Sequence, residues 1–155
     1  MRPEVRHVFH PPSHTYSYVV WDPATRRAAI IDPVLDYDPA SGRSRTETAQ
    51  ALVDIVEAEG LTVDWLLETH AHADHMMAIP FLKARFGAPV AIGEGITQVQ
   101  ARFVRLFNLG ADFPSDGRQF DHLFADGETF AIGELPAQVI HTPGHTPGSI
   151  CMYAP

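Results

Sequence analysis

Short apolar runs bounded by turn residues open the chain. Val5 to Phe9, Ser17 to Trp21 and Ala28 to Asp32 have the β-branched and aromatic content of strands, and Asp22-Pro23-Ala24-Thr25 turns the second into the third. This predicts an opening β-meander. Asp36 to Arg45, with Pro39, Ser41 and Gly42, reads as a loop ending at a capping box of Ser44 and Glu47. From there to Glu59 the period lengthens to that of a helix: Ala49, Leu52, Val53 and Val56 share one face, and Gly60 stops it. Thr62 to Leu67 is a buried strand. A second helix is predicted from Met76 to Phe86, with Pro80 tolerated near its first turn and Gly87 closing it. Pro89 to Ile92 is a short strand, and Thr97 to Asn108 a third helix. Its Val99, Phe103, Leu106 and Phe107 lie at helical spacing and are expected in the core, the alternative being a helix that walls a substrate pocket. After a polar loop, Asp112 to Gly117, come the strands Ala137 to Ile140 and Ser149 to Tyr153. Strands and helices alternate without repeats or low-complexity linkers, so residues 1–155 read as a single α/β domain.

Composition sets limits on partners. The 155 residues are 45% hydrophobic, enough for a real core, and carry a net charge of −8. Lys83 is the only lysine and the arginines are scattered, which argues against a nucleic-acid partner. The first twenty residues contain no apolar secretory segment, and no run approaches membrane-spanning length. Cys151 stands alone, so no disulfide forms within the chain and a cytoplasmic location is expected. In its strand, Cys151 is expected to be a buried small hydrophobe rather than a nucleophile.

The chemistry is concentrated in His70-Ala71-His72-Ala73-Asp74-His75, four metal-binding side chains at the exit of a predicted strand. In extended backbone, residues two apart point the same way, so His70 and His72 can address one cation while a turn after Ala73 swings Asp74 and His75 toward a neighbouring position. A second cluster, His141-Thr142-Pro143-Gly144-His145-Thr146-Pro147-Gly148, follows another strand, and its two Pro-Gly pairs define a fixed turn. His145 is the expected ligand there. His141, at the strand end, is expected to be a hydrogen-bonded structural histidine. His7, His10, His14 and His122 are expected to be exposed or locally bonded, and Asp32 and Asp36 to form a turn around Pro33.

Taken together these stretches resemble the metallo-β-lactamase fold superfamily, whose His-x-His-x-Asp-His loop matches His70 to His75 and whose Gly-His-Thr turn matches His145. Trp21 to Thr25, Ile31 to Asp36, Glu68 to His75 and Phe120 to Gly127 are similar to the persulfide dioxygenase branch, particularly its bacterial β-lactamase-like hydrolase subgroup. The resemblance runs from about Val8 to Tyr153. It implies an αββα sandwich, of which this chain supplies the N-terminal half to two-thirds. In dinuclear zinc hydrolases of this superfamily, His70, His72 and His145 would hold one ion, and Asp74 and His75 part of the other. The dioxygenases imply a single Fe(II) on His70 and His145, completed by a later Asp, with His72, Asp74 and His75 supporting it by hydrogen bonds. Asp74 is also the candidate catalytic carboxylate.

The chain stops at Cys151-Met152-Tyr153-Ala154-Pro155, just before the Gly-Asp turn that brings the later carboxylate in the family. The resemblance therefore implies a single domain truncated ahead of that ligand. It also implies an enzyme oxidising glutathione persulfide to sulfite with Fe(II). One alternative is a glyoxalase II-like thioesterase that uses two Zn(II) ions on another glutathione thiol derivative. The other is an inactive fragment serving as a binding module, kept soluble by forming a homodimer or recruiting the missing half.

Overall fold

The computed structural model describes residues 2–110 and 112–155. β1 (Glu4–His10), β2 (Thr15–Trp21) and β3 (Arg27–Ile31) form the antiparallel meander that their patterning predicts. The stretch expected to be a loop is instead a small hairpin of β4 (Val34–Asp38) and β5 (Arg43–Arg45). After α1 (Glu47–Ala58) come β6 (Thr62–Leu67), the two-residue β7 (Met76–Met77), α2 (Ile79–Phe86), β8 (Val90–Gly93) and α3 (Ile96–Leu106). The chain continues through β9 (His122–Phe124), β10 (Thr129–Ile132), β11 (Leu135–His141) and β12 (Ile150–Tyr153). One six-stranded sheet has the order β1-β2-β3-β6-β8-β9, and its last four strands run parallel. β10, β11 and β12 form a second, antiparallel sheet, and β4 pairs with both β5 and β7.

The central strands carry apolar residues on both faces because both faces are covered. On one side Ala28 and Ile30 of β3, Leu66 of β6 and Val90 of β8 pack with Leu52, Val53 and Val56 of α1 and Leu82 of α2. On the other, Ala29, Leu67 and Ala91 meet Phe124, Ile132, Val139 and Ile150 of β9 and the second sheet. Leu52 and Leu66 are fully buried, and each such side chain contributes roughly 1.5–3 kcal/mol of apolar transfer. This mixed α/β layering is the metallo-β-lactamase arrangement expected from the resemblance.

Several local expectations need correction. The capping box does not form: Thr46 caps α1 without a side-chain bond, and Asp36 takes the capping role by accepting from the Thr48 amide (2.8 Å) and hydroxyl (2.6 Å). A carboxylate from β4 thus does the work assigned to Ser44. The second helix begins at Ile79 because Met76 and Met77 pair with Leu35 and Val34, leaving Pro80 in the first turn. Cys151 is exposed, since β12 alternates and it is Ile150 that points into the core. On α3 only the first turns are in the core. Leu106 and Phe107 are 65% and 63% exposed, so for them the core expectation fails.

Two glycines bring the β8–α3 junction against the His145 loop. A Cβ on Gly95 would lie 2.7 Å from the Gly148 Cα, and one on Gly148 would lie 3.0 Å from the Gly95 carbonyl carbon. Both obstacles are backbone and cannot swing aside. Gly95→Ala is expected to destabilise the protein by about 1–3 kcal/mol in urea denaturation, the usual range for overpacking. Gly144→Ala, in the same loop with nothing within 4 Å of its Cβ position, is the control and should shift stability by under about 0.5 kcal/mol. Equal effects from the two would show that the close approach is not what holds the loop.

Candidate metal centre

Strand β6 delivers the histidine loop to the end of the parallel sheet, and a neighbouring strand fixes where it emerges. The Asp32 amide, just past β3, donates to the Leu67 carbonyl (2.9 Å), and Asp32 adopts φ 50°, a conformation Asp tolerates better than most residues. Its Oδ1 accepts from the Thr69 amide and its Oδ2 from the Thr69 hydroxyl, both at 2.7 Å. Ser17 Oγ holds the Asp32 carbonyl at 2.7 Å from the other side. From the second sheet, the Ile150 amide donates to the Thr69 carbonyl at 3.0 Å. Both sheets therefore grip the residue immediately before His70.

Four histidine rings converge beyond that point. The His70 ring centroid lies 4.0 Å from that of His72 and 4.8 Å, edge-on, from that of His145, while His72 and His75 are 4.2 Å apart. Asp74 is half exposed and accepts from Thr15 Oγ1 (3.2 Å) and His75 Nδ1 (2.9 Å). All five residues picked out in the two motifs are thus brought together. His141 is not part of the group: its Nε2 donates to the Pro147 carbonyl (2.9 Å) and braces the loop carrying His145. His10 is buried and bonded to Ser13 Oγ at 2.7 Å, and His122 pairs with Glu128 at 2.6 Å.

The hydrogen bonds decide which ring nitrogens can meet a cation. The single Thr69 hydroxyl hydrogen goes to Asp32, so His70 Nδ1, 2.9 Å from Thr69 Oγ1, must be the donor in that pair and the His70 lone pair is on Nε2. His72 Nε2 faces two carboxylates, Asp32 Oδ1 at 3.2 Å and Glu68 Oε2 at 3.1 Å, and so carries a hydrogen, leaving Nδ1 for an ion. His75 Nδ1 donates to Asp74, and its Nε2 is buried with no hydrogen-bond partner among the described residues. A buried, unpartnered imidazole nitrogen beside three others fits a bound cation. Two three-residue groups also have metal-ligating geometry, His72 with Asp74 and His75, and Asp32 with Glu68 and His72. The second holds the far nitrogen of His72 and is best read as the carboxylate support that metal-bound histidines use.

Electrostatics agree with that division. Burial pushes the Glu68 carboxyl up to about 8. Burial also acts to raise Asp32, but hydrogen bonds from His72 and from the Thr69 amide and hydroxyl hold it below the ordinary carboxylate range. For His72, burial works against the charged ring, yet the bonds to Asp32 and Glu68 push it up to about 9. Without a metal, the ionised Asp32 keeps a proton on this ring. The His75 hydrogen bond holds Asp74 down to about 2, so it stays ionised.

Sequence reasoning missed Asp32 as a functional residue by assigning it to a turn at Pro33, and gave no role to Glu68, Thr69 or Thr15. The available signal was position, since Ile31-Asp32 ends a buried strand beside the one that carries the histidines. Asp74, His145, Ala71 and Ala73, with Gln98, Val99, Arg102, Phe103 and Leu106 of α3, line a cavity of about 720 Å³ beside the cluster. The alternative reading of α3, a helix walling a pocket, is thus the one its outer turns follow.

The sequence profile of the metallo-beta-lactamase superfamily matches residues 10–155. The chain is 52% identical over 144 residues to a probable metallo-hydrolase of Burkholderia pseudomallei, covering 93% of this chain and 48% of that protein. It is 44% identical over 142 residues to Glyoxylase B2 of Dictyostelium discoideum (91% and 49%) and 30% identical over 146 residues to the mitochondrial persulfide dioxygenase ETHE1 of Bos taurus (94% and 46%). The crystal structure of ETHE1 from Myxococcus xanthus superposes with a TM-score of 0.71 at 30% identity, over 97% of this chain and 53% of that one. The chain spans about half the length of these relatives. Profile, relatives and fold agree, and the chain belongs to the metallo-beta-lactamase superfamily.

Proposed function

We propose that this protein is a persulfide dioxygenase, oxidising glutathione persulfide to glutathione and sulfite with one Fe(II) in the cytoplasm. The observation that carries the reading is the split within the histidine cluster. His70 and His145 stand edge-to-face at 4.8 Å with His70 Nε2 unengaged, whereas Asp74 is committed to Thr15 and His75. That favours one ion on His70 and His145, with His72, Asp74 and His75 around it. A ferrous ion there would offer open positions at which O2 and a persulfide sulfur meet. His72, clamped by Asp32 and Glu68, would keep the cluster rigid. Asp74, ionised and facing the cavity, would orient the substrate's polar hydrogens. The persulfide dioxygenase named among the relatives supports this reading.

A second reading has its own support, in the buried His75 Nε2 that has no partner among the described residues and in the relatives named Glyoxylase B2 and metallo-hydrolase, which share more identity with the chain. Under it, His72, Asp74 and His75 would be ligands, two zinc ions would be bound, and a metal-held hydroxide would attack a glutathione thioester.

Metal content separates the two. The full-length protein purified without oxygen is expected to carry one iron, to lose it in His70→Ala, and to keep most of it but lose turnover in Asp74→Ala. Two zinc ions per chain would give first place to the thioesterase. Substrate use is an independent check: O2 uptake is expected with glutathione persulfide, while lactoylglutathione stays intact. Thioester hydrolysis without O2 consumption would refute the dioxygenase. A third expectation concerns Asp32. Asp32→Ala unties Thr69 and His72 together and should weaken metal affinity by about 10–100-fold, measured by chelator competition. Unchanged affinity would mean that the carboxylate does not position the ligands.

A further inference from the structure

The cavity beside the histidine cluster has a polarity that suggests how a ligand lies in it. His145 and Asp74 line it together with a stripe of α3, Gln98, Val99, Arg102, Phe103 and Leu106, recurring at helical spacing. Gln98 to Leu106 is nine residues, and the rise from first to last is about 12 Å of helix. An extended tripeptide spans about 10 Å. Among the described residues, Arg102 is the only arginine or lysine lining this cavity. Several other cations of this acidic chain pair with carboxylates, Arg27 with Asp64, Lys83 with Asp121, Arg85 with Glu57 and Arg118 with Asp116, and Arg43 and Arg105, without an ion pair among the described residues, do not line this cavity. Arg102 has neither an ion pair nor a side-chain hydrogen bond among the described residues, and it stands between the apolar surfaces of Val99, Phe103 and Leu106.

Resting on the glutathione reading above, we propose that Arg102 is a specificity-determining residue that binds a carboxylate of the glutathione moiety and so points its sulfur at His70 and His145. A guanidinium suits the task because its planar fork matches a carboxylate in two parallel hydrogen bonds. Arg102 and His145 line the same cavity, so a ligand whose acid end is held at Arg102 has its sulfur end toward the histidines. Val99 and Leu106 flank the guanidinium and receive the methylenes of the γ-glutamyl chain.

The test is calorimetric titration of glutathione, and of its diethyl ester, into the full-length metal-loaded protein and its Arg102→Ala and Arg102→Lys variants. Arg102→Ala is expected to weaken glutathione binding about tenfold and leave the ester unaffected, and Arg102→Lys to recover part of the loss, since charge survives without the fork. Circular dichroism and metal content should match the parent in both variants. Equal affinity of parent and Arg102→Ala for glutathione, equal loss for acid and ester, or no glutathione binding by the parent would each overturn the assignment. Arg102-dependent binding without oxidation of the persulfide would uphold it while sinking the dioxygenase reading.

Discussion

The buried carboxylate of Asp32 is the contact on which the metal centre depends. One side chain accepts from the amide and hydroxyl of Thr69 and from the far nitrogen of His72, and so ties the end of β3 to the exit of β6 and to the histidine loop. In a low-dielectric setting such bonds are strong when complete and expensive when one partner is missing. Here they are complete for Asp32 but not for Glu68, whose second oxygen has no partner among the described residues. The result is a histidine loop with little freedom at its base. The protonation of His70, the orientation of His72 and the backbone of Thr69 all follow from where one carboxylate sits.

The same arrangement explains why the fold's layers matter to the chemistry. β3, β6 and β8 are covered by helices on one face and by the second sheet on the other. Their ends are therefore rigid, and the loops that leave them inherit that rigidity. His145 arrives from the second sheet, on a loop held by the Thr142 amide on the Ser149 carbonyl and by His141 on Pro147. Two sheets thus bring histidines to one place, and the bond from Ile150 to Thr69 ties one to the other.

Much of this was legible in the residues. Periodicity located the meander, α1 with its buried face and the strand ahead of His70, and the two histidine motifs named the five residues that converge. What escaped were decisions made by tertiary context. Whether Asp36 or Ser44 caps α1 depends on β4 lying alongside it. Whether Met76 continues a helix depends on a strand partner 41 residues earlier in the chain, Leu35. The exposure of Leu106 and Phe107 depends on α3 projecting past the sheet it starts on, which helical spacing cannot report. Asp32 was hidden for a different reason, because a turn-forming Asp before a proline and a ligand-positioning Asp look the same until the neighbouring strand is known.

The contact between Gly95 and Gly148 couples the pocket wall to the chemistry in a way that constrains how this protein can change. Because the start of α3 and the loop of His145 touch backbone to backbone, a substitution that tilts the root of the helix also moves the His145 ring. The far end of the helix, where Leu106 and Phe107 stand in solvent, has no such tether. The tip of α3 is therefore free to accept substitution while its root stays fixed, so that one short helix joins a constrained end beside the histidine cluster to an unconstrained end at the rim of the cavity.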